Sequence, residues 1–157
     1  MNIKIVQHKQ KLDTLFTLAS TITDMKMQGE WAKYLCVLAS GYLENSLRIL
    51  ILEYVSKNSS PRIQRFNDPQ ISNLTNCKHA KIVKVLDQFD VNWSTAYIAE
   101  IEAKSKITDE IKDSIDSLVQ NRHDIAHGKS VGVGYVSVKK YYEQAHKAVE
   151  IIDKIIK

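Results

Sequence analysis

Arg122 and His127, in the stretch Q-N-R-H-D-I-A-H-G at residues 120–128, are the side chains of this chain best fitted to chemistry. An imidazole takes or gives a proton near neutral pH, and a guanidinium holds a phosphate through two parallel hydrogen bonds. Together they suit phosphate-ester chemistry. Their setting is unusual. Ile111, Ile115, Leu118, Val119, Ile125 and Ala126 fall on one side of a helix stepped at about 100° per residue. Arg122 steps onto the middle of that side, where a guanidinium is expensive unless it has a partner or faces a cavity. Inside a regular helix, residues five apart point about 140° away from each other. The pair converges at a helix terminus if His127 leaves the register before a left-handed Gly128, or a second subunit supplies the partner of each.

Other roles compete for the same residues. Arg122 can satisfy helix C-terminal carbonyls or pair with Glu44, and His127 can cap the helix. His123 and His127 stand at i, i+4, a spacing that binds zinc or nickel through two imidazoles. No H-E-x-x-H pattern accompanies them and no third ligand follows at helical spacing, so no metal and no cofactor is expected. No serine or cysteine nucleophile with a defined partner stands out.

The elements that must position these groups read as helices. A first helix is expected over 5–27, broken by Gly29, and a second over 30–57 that is apolar nearly all round and therefore central. Its polar residues are informative: Glu44 and Arg48 at i, i+4 either pair with each other or line the cavity of Arg122. Residues 56–77 hold both prolines, Pro61 and Pro69, and read as a long surface connection with at most a short helical turn. Arg62, Arg65 and Phe66 there mix charge with an aromatic, as single-stranded RNA binders do; a solvated loop with one anchoring aromatic is the plainer reading. A third helix over 78–89 carries Lys78, Lys81 and Lys84 on its outer face, where they solvate the helix or steer phosphates. Trp93 and Tyr97 follow in a short helical stretch to about residue 104. Thr108 is expected to cap the helix of the focal motif and Ser137 the last helix, whose Val138, Tyr141, Tyr142, Ala145, Ala148, Val149, Ile152, Ile155 and Ile156 keep strict 3–4 spacing. Gly132-Val133-Gly134 has no strand–turn–helix unit around it and is no dinucleotide fingerprint.

Composition agrees with this helical reading. The 157 residues are 44% hydrophobic and 25% charged, with five Gly and two Pro, as expected of one mostly helical domain. The formal charge of +4 is compatible with a polyanion partner. Cys36 and Cys77 make no C-x-x-C, so no disulfide framework is expected and a reducing cytoplasm is the default. The N-terminal residues lack an apolar signal region, and the longest uncharged apolar run, 34–43, is too short for a bilayer, so no membrane partner is expected. The sequon Asn73-Leu74-Thr75 then has no meaning.

The motif at 122–128 resembles the R-x4-6-H signature of the HEPN superfamily, with His123 as the polar residue after the arginine. The order of features is similar to RiboL-PSP-type and related prokaryotic HEPN domains from about residue 31 to the C-terminus. It comprises an apolar helix with Gly41-Tyr42-Leu43-Glu44, a long basic connection, Trp93, the arginine–histidine motif and a last helix with Tyr141-Tyr142. The resemblance implies an all-α, up-and-down bundle of four to five main helices, pairing as a homodimer whose two motifs form one composite site. It further implies metal-independent RNA cleavage by attack of the ribose 2′-hydroxyl on the adjacent phosphorus, in a toxin–antitoxin, abortive-infection or anti-phage setting. His127 would be the general acid/base, Arg122 the phosphate-stabilising group and His123 a positioning aid, with Glu44 near the site. Arg62, Arg65, Lys78, Lys81 and Lys129 are the expected RNA-binding side chains, and an antitoxin or effector protein an expected partner. HEPN toxins regulated by a nucleotidyltransferase antitoxin often carry tyrosine two residues after the histidine; Lys129 stands there, so the resemblance does not extend to that regulation. The alternatives are a non-catalytic module that binds RNA, nucleotide or protein, and a purely structural dimerisation domain.

Overall fold

The computed structural model describes residues 1–156, which form seven helices and, among the described residues, no strand. Four of them carry the core: α1 (Ile3–Ser20), α2 (Met25–Asn58), α6 (Glu110–Ala126) and α7 (Tyr135–Ile155). Between α2 and α6 lie three shorter helices, α3 (Pro61–Ser72), α4 (His79–Phe89) and α5 (Val91–Lys104). The all-α bundle is as expected; the higher count comes from the short helices.

α1 runs antiparallel to both α2 and α7. Asn2 Nδ2 donates to Glu53 Oε2 at 2.7 Å at one end, and Gln28 Nε2 donates to Ala19 O at 3.4 Å at the other. Tyr142 donates its hydroxyl to Asp13 at 2.8 Å, and Tyr135 to Phe16 O at 2.8 Å. The first helix ends earlier than the apolar pattern suggests. The β-branched run Thr21-Ile22-Thr23 is a poor helix former, and Asp24 caps α2 by accepting from Met27 N–H at 2.7 Å. A good cap and that run outweigh a single helical glycine, so Gly29 lies inside α2.

α2 is the centre of the bundle, with Ala32, Leu35, Cys36, Ala39, Leu43 and Leu47 fully buried. By length and composition it could cross a membrane, but 61% of its apolar window is buried against the other helices, as in the core helix of a globular bundle. Its outer face is less covered than the all-round pattern implies: Tyr34 is 51% exposed. α3 replaces most of the expected loop. Pro61 at its first turn lacks only an N–H that would be unsatisfied there anyway, so the proline starts a helix. Only Ile71 of α3 is buried.

Neither expected cap forms. Asp109, with φ 60°, precedes α6 without a side-chain cap, and Gly134 precedes α7 likewise, leaving Ser137 within the first turn. In α7 the buried Val138, Tyr142, Ala145, Ala148, Val149 and Ile152 follow the expected periodicity.

Candidate functional site

The apolar face of α6 changes character along its length. Ile111, Ile115, Leu118 and Val119 are at most 1% exposed, whereas Arg122 and Ile125 are half-buried and Ala126 is exposed. The last turn and a half of the stripe therefore lacks the cover that the first three turns have. Arg122 sits on that less covered end. It makes no hydrogen bond and no ion pair among the described residues, so neither the helix carbonyls nor Glu44 is its partner.

The carbonyls are already used. Gly128 adopts the expected left-handed conformation at φ 69°, and its N–H donates to Ile125 O at 3.1 Å while Lys129 N–H donates to Asp124 O at 3.0 Å. This pair of bonds is a Schellman termination, which satisfies the end of α6 and fixes where the chain leaves it. His127 is the residue at the cap, exposed, its N–H on His123 O at 3.1 Å. Its ring lies against His123 with centroids 4.3 Å apart and planes at 54°. Within one chain the termination thus brings His127 onto His123, and no hydrogen bond joins His127 to Arg122.

Glu44 and Arg48 do not pair with each other. Glu44, 6% exposed, accepts from Asn76 N–H at 2.6 Å. Arg48 donates twice to Leu74 O, Nε at 2.9 Å, and from Nη1 to Asn45 Oδ1 at 3.2 Å. The two charged residues of α2 clasp the turn between α3 and α4, in which Asn76 has a left-handed φ of 52°. That turn then leads to Lys78, whose Nζ donates to Gln120 Oε1 on α6 at 2.8 Å, and to His79, whose N–H donates to Asp116 Oδ1 at 2.7 Å.

A cavity of about 290 Å³ results, lined by Asn76, Lys78, Val119, Gln120, His123 and Lys129. Asp124 accepts from Lys129 Nζ at 2.8 Å and Gln120 Nε2 at 3.1 Å, and these bonds, Lys129 first, hold its carboxyl below the usual range. His123, Lys78 and Lys129 are therefore brought together, with His127 adjacent. Lys81 turns instead to Thr75 O. Arg62 and Arg65 are exposed on α3, and Arg65 lines a separate groove between α2 and α3 with Leu52, Val55, Pro61 and Asp68. Sequence reasoning alone does not single out Asn76, Gln120 and Asp124. Gln120 and Asp124, at i and i+4 beside the motif, carry a readable signal; Asn76 acquires its place only through Glu44.

Both thiols are buried and pushed up by that burial, Cys36 to about 12 and Cys77 to about 11, so neither is primed as a nucleophile. Among the described residues no group of three or more His, Cys, Asp and Glu side chains is disposed to hold a metal ion.

A model of the RiboL-PSP-HEPN family matches residues 3–157. No curated protein and no solved structure matches the chain.

Proposed function

The chain belongs to the RiboL-PSP-HEPN family, and on that premise we propose that it is an endoribonuclease whose active form is a homodimer. The observation that carries the reading is Arg122: a half-buried guanidinium with no hydrogen bond or ion pair among the described residues, on the less covered end of an apolar helix face, five residues before an exposed histidine. A second copy packed on that face supplies the missing cover and sets the two Arg122–His127 pairs beside each other. The site then holds groups that neutralise a phosphate and groups that move protons.

In the reaction the 2′-oxygen of a ribose bonds to the adjacent phosphorus as the bond from phosphorus to the 5′-oxygen breaks. One His127 accepts the 2′-hydroxyl proton and a protonated His127 of the partner copy delivers one to the leaving 5′-oxygen. Arg122 binds the non-bridging oxygens, whose charge is concentrated in the transition state. His123, in ring contact with His127, orients it. The products are a 2′,3′-cyclic phosphate and a 5′-hydroxyl, and no step requires a cofactor. A toxin–antitoxin, abortive-infection or anti-phage role in the cytoplasm, with an antitoxin or effector protein as partner, is the setting we assign.

The test is cleavage of labelled tRNA and unstructured RNA by purified protein in EDTA, alongside the His127→Ala variant, with sedimentation at the assay concentration. The reading expects a dimer, cyclic-phosphate ends and loss of cleavage in the variant without loss of fold. A monomer, or full cleavage by His127→Ala, overturns it. One observation favours a second reading, phosphate binding without cleavage: in a single chain His127 engages His123 and not Arg122. RNA retained but uncut by the wild-type protein selects that reading.

A further inference from the structure

The cavity beside His123 is built from elements distant in sequence, and its charge is unevenly compensated. Lys129 is paired with Asp124 at 2.8 Å. Lys78 has no carboxylate partner among the described residues and only the neutral Gln120 amide at 2.8 Å. Gln120 in turn donates to Asp124 at 3.1 Å, so one chain of exposed hydrogen bonds runs from Lys78 to Lys129 along the cavity's edge. Asn76 also lines the cavity, and the turn that carries it is held by a buried carboxylate and a guanidinium from α2. A surface lysine next to a clasped turn borders about 290 Å³ of space that His123 also lines, an arrangement suited to an anion.

Resting on the reading of the chain as an RNA-acting protein, we infer that this cavity is a second phosphate subsite, which takes a backbone phosphate flanking the one at Arg122 and His127. Lys78 supplies the charge, and the side chains of Asn76 and His123 supply hydrogen bonds. Glu44 and Arg48 are positioning residues: they touch no RNA and fix the turn that carries Asn76 and Lys78. The subsite tells a polynucleotide from a single phosphodiester, because only a chain presents a neighbouring phosphate.

The test is equilibrium binding of a fluorescein-labelled single-stranded RNA to the non-cleaving His127→Ala protein, followed by anisotropy over a range of salt. Removing one cation that neutralises a single-strand phosphate lowers the magnitude of the negative slope of log K against log salt by about 0.7. Adding Lys78→Met should produce that drop, and adding Lys104→Met, a charge-matched change on α5, should not. Glu44→Ala should reproduce the drop, with Glu44→Gln, which keeps an acceptor for Asn76 N–H, restoring the slope. Equal slopes for Lys78→Met and Lys104→Met, or no salt-sensitive binding at all, overturn the subsite. Cleavage by the wild-type protein is scored separately. Cleavage with an unchanged Lys78→Met slope removes the subsite alone, whereas a lowered Lys78→Met slope in a protein that never cleaves removes the nuclease alone.

Discussion

Replacing Arg122 with leucine should separate stability from activity in opposite directions. In the folded chain the guanidinium is half-buried, lacks any ion pair among the described residues, and lies at helical spacing from Leu118 and Ile125 on the apolar face of α6. Burying a leucine side chain fully contributes about 1.5–3 kcal/mol, so a half-buried one contributes about 1 kcal/mol, and the desolvation cost of the cation disappears. For a chain of this length about 1 kcal/mol raises Tm by about 2–4 °C. In the proposed homodimer a leucine at this position should also strengthen packing against the second copy. In the proposed mechanism the same change removes the group that binds the non-bridging oxygens, and loss of one such donor should lower turnover by about 100- to 1,000-fold. The assays are calorimetric melting, sedimentation, and cleavage of labelled RNA. A fall in Tm of several degrees would refute the reasoning, because Arg122 would then hold the fold together; unchanged cleavage would refute its role at phosphate.

Glu44→Ala leaves Asn76 N–H without its buried acceptor and should cost about 1–3 kcal/mol in chemical denaturation, with Glu44→Gln recovering most of it; equal losses would mean the clasp is not the cause. Gly128→Ala meets no neighbouring atom but forces an alanine to φ 69°, at a cost of about 1 kcal/mol, and should loosen His127; a neutral melting temperature would contradict the left-handed termination. Stability should fall on acidification. Burial holds His79, His146 and His8 below the ordinary value of 6.5. Between 6.5 and their depressed values the unfolded chain therefore binds more protons, so their contribution is present above 6.5 and is lost as pH falls through that window. Melting curves of His79→Gln/His146→Gln should flatten that dependence, and an unchanged slope would point to other groups.

Much of the helical framework is legible in the sequence. The 3–4 spacing in α7, the continuous apolarity of α2 and the Gly128 stop are local signals, and each element forms where hydrophobic period and backbone preference agree. Where two local signals compete, the pattern misleads. Asp24 and its β-branched neighbours end α1 before Gly29 can, and Pro61 opens a helix where prolines suggest a loop. Likewise, Thr108 and Ser137 have good capping chemistry, but the chain turns into α6 and α7 through other residues.

The placing of an arginine on an apolar stripe and a histidine at its glycine stop is determined by the sequence alone, because side-chain direction on a helix follows from residue spacing. Only the tertiary structure decides that the stripe is fully covered at Leu118 and only partly at Arg122, since cover depends on where neighbouring helices end. It also decides the partners of Glu44 and Arg48. Four residues apart, they read as a pair, but the turn at 74–76 offers an N–H and a C=O that no backbone group pairs, and the two side chains reach those instead. A charge goes to whichever partner the fold has left wanting, and that is fixed only when segments distant in sequence meet.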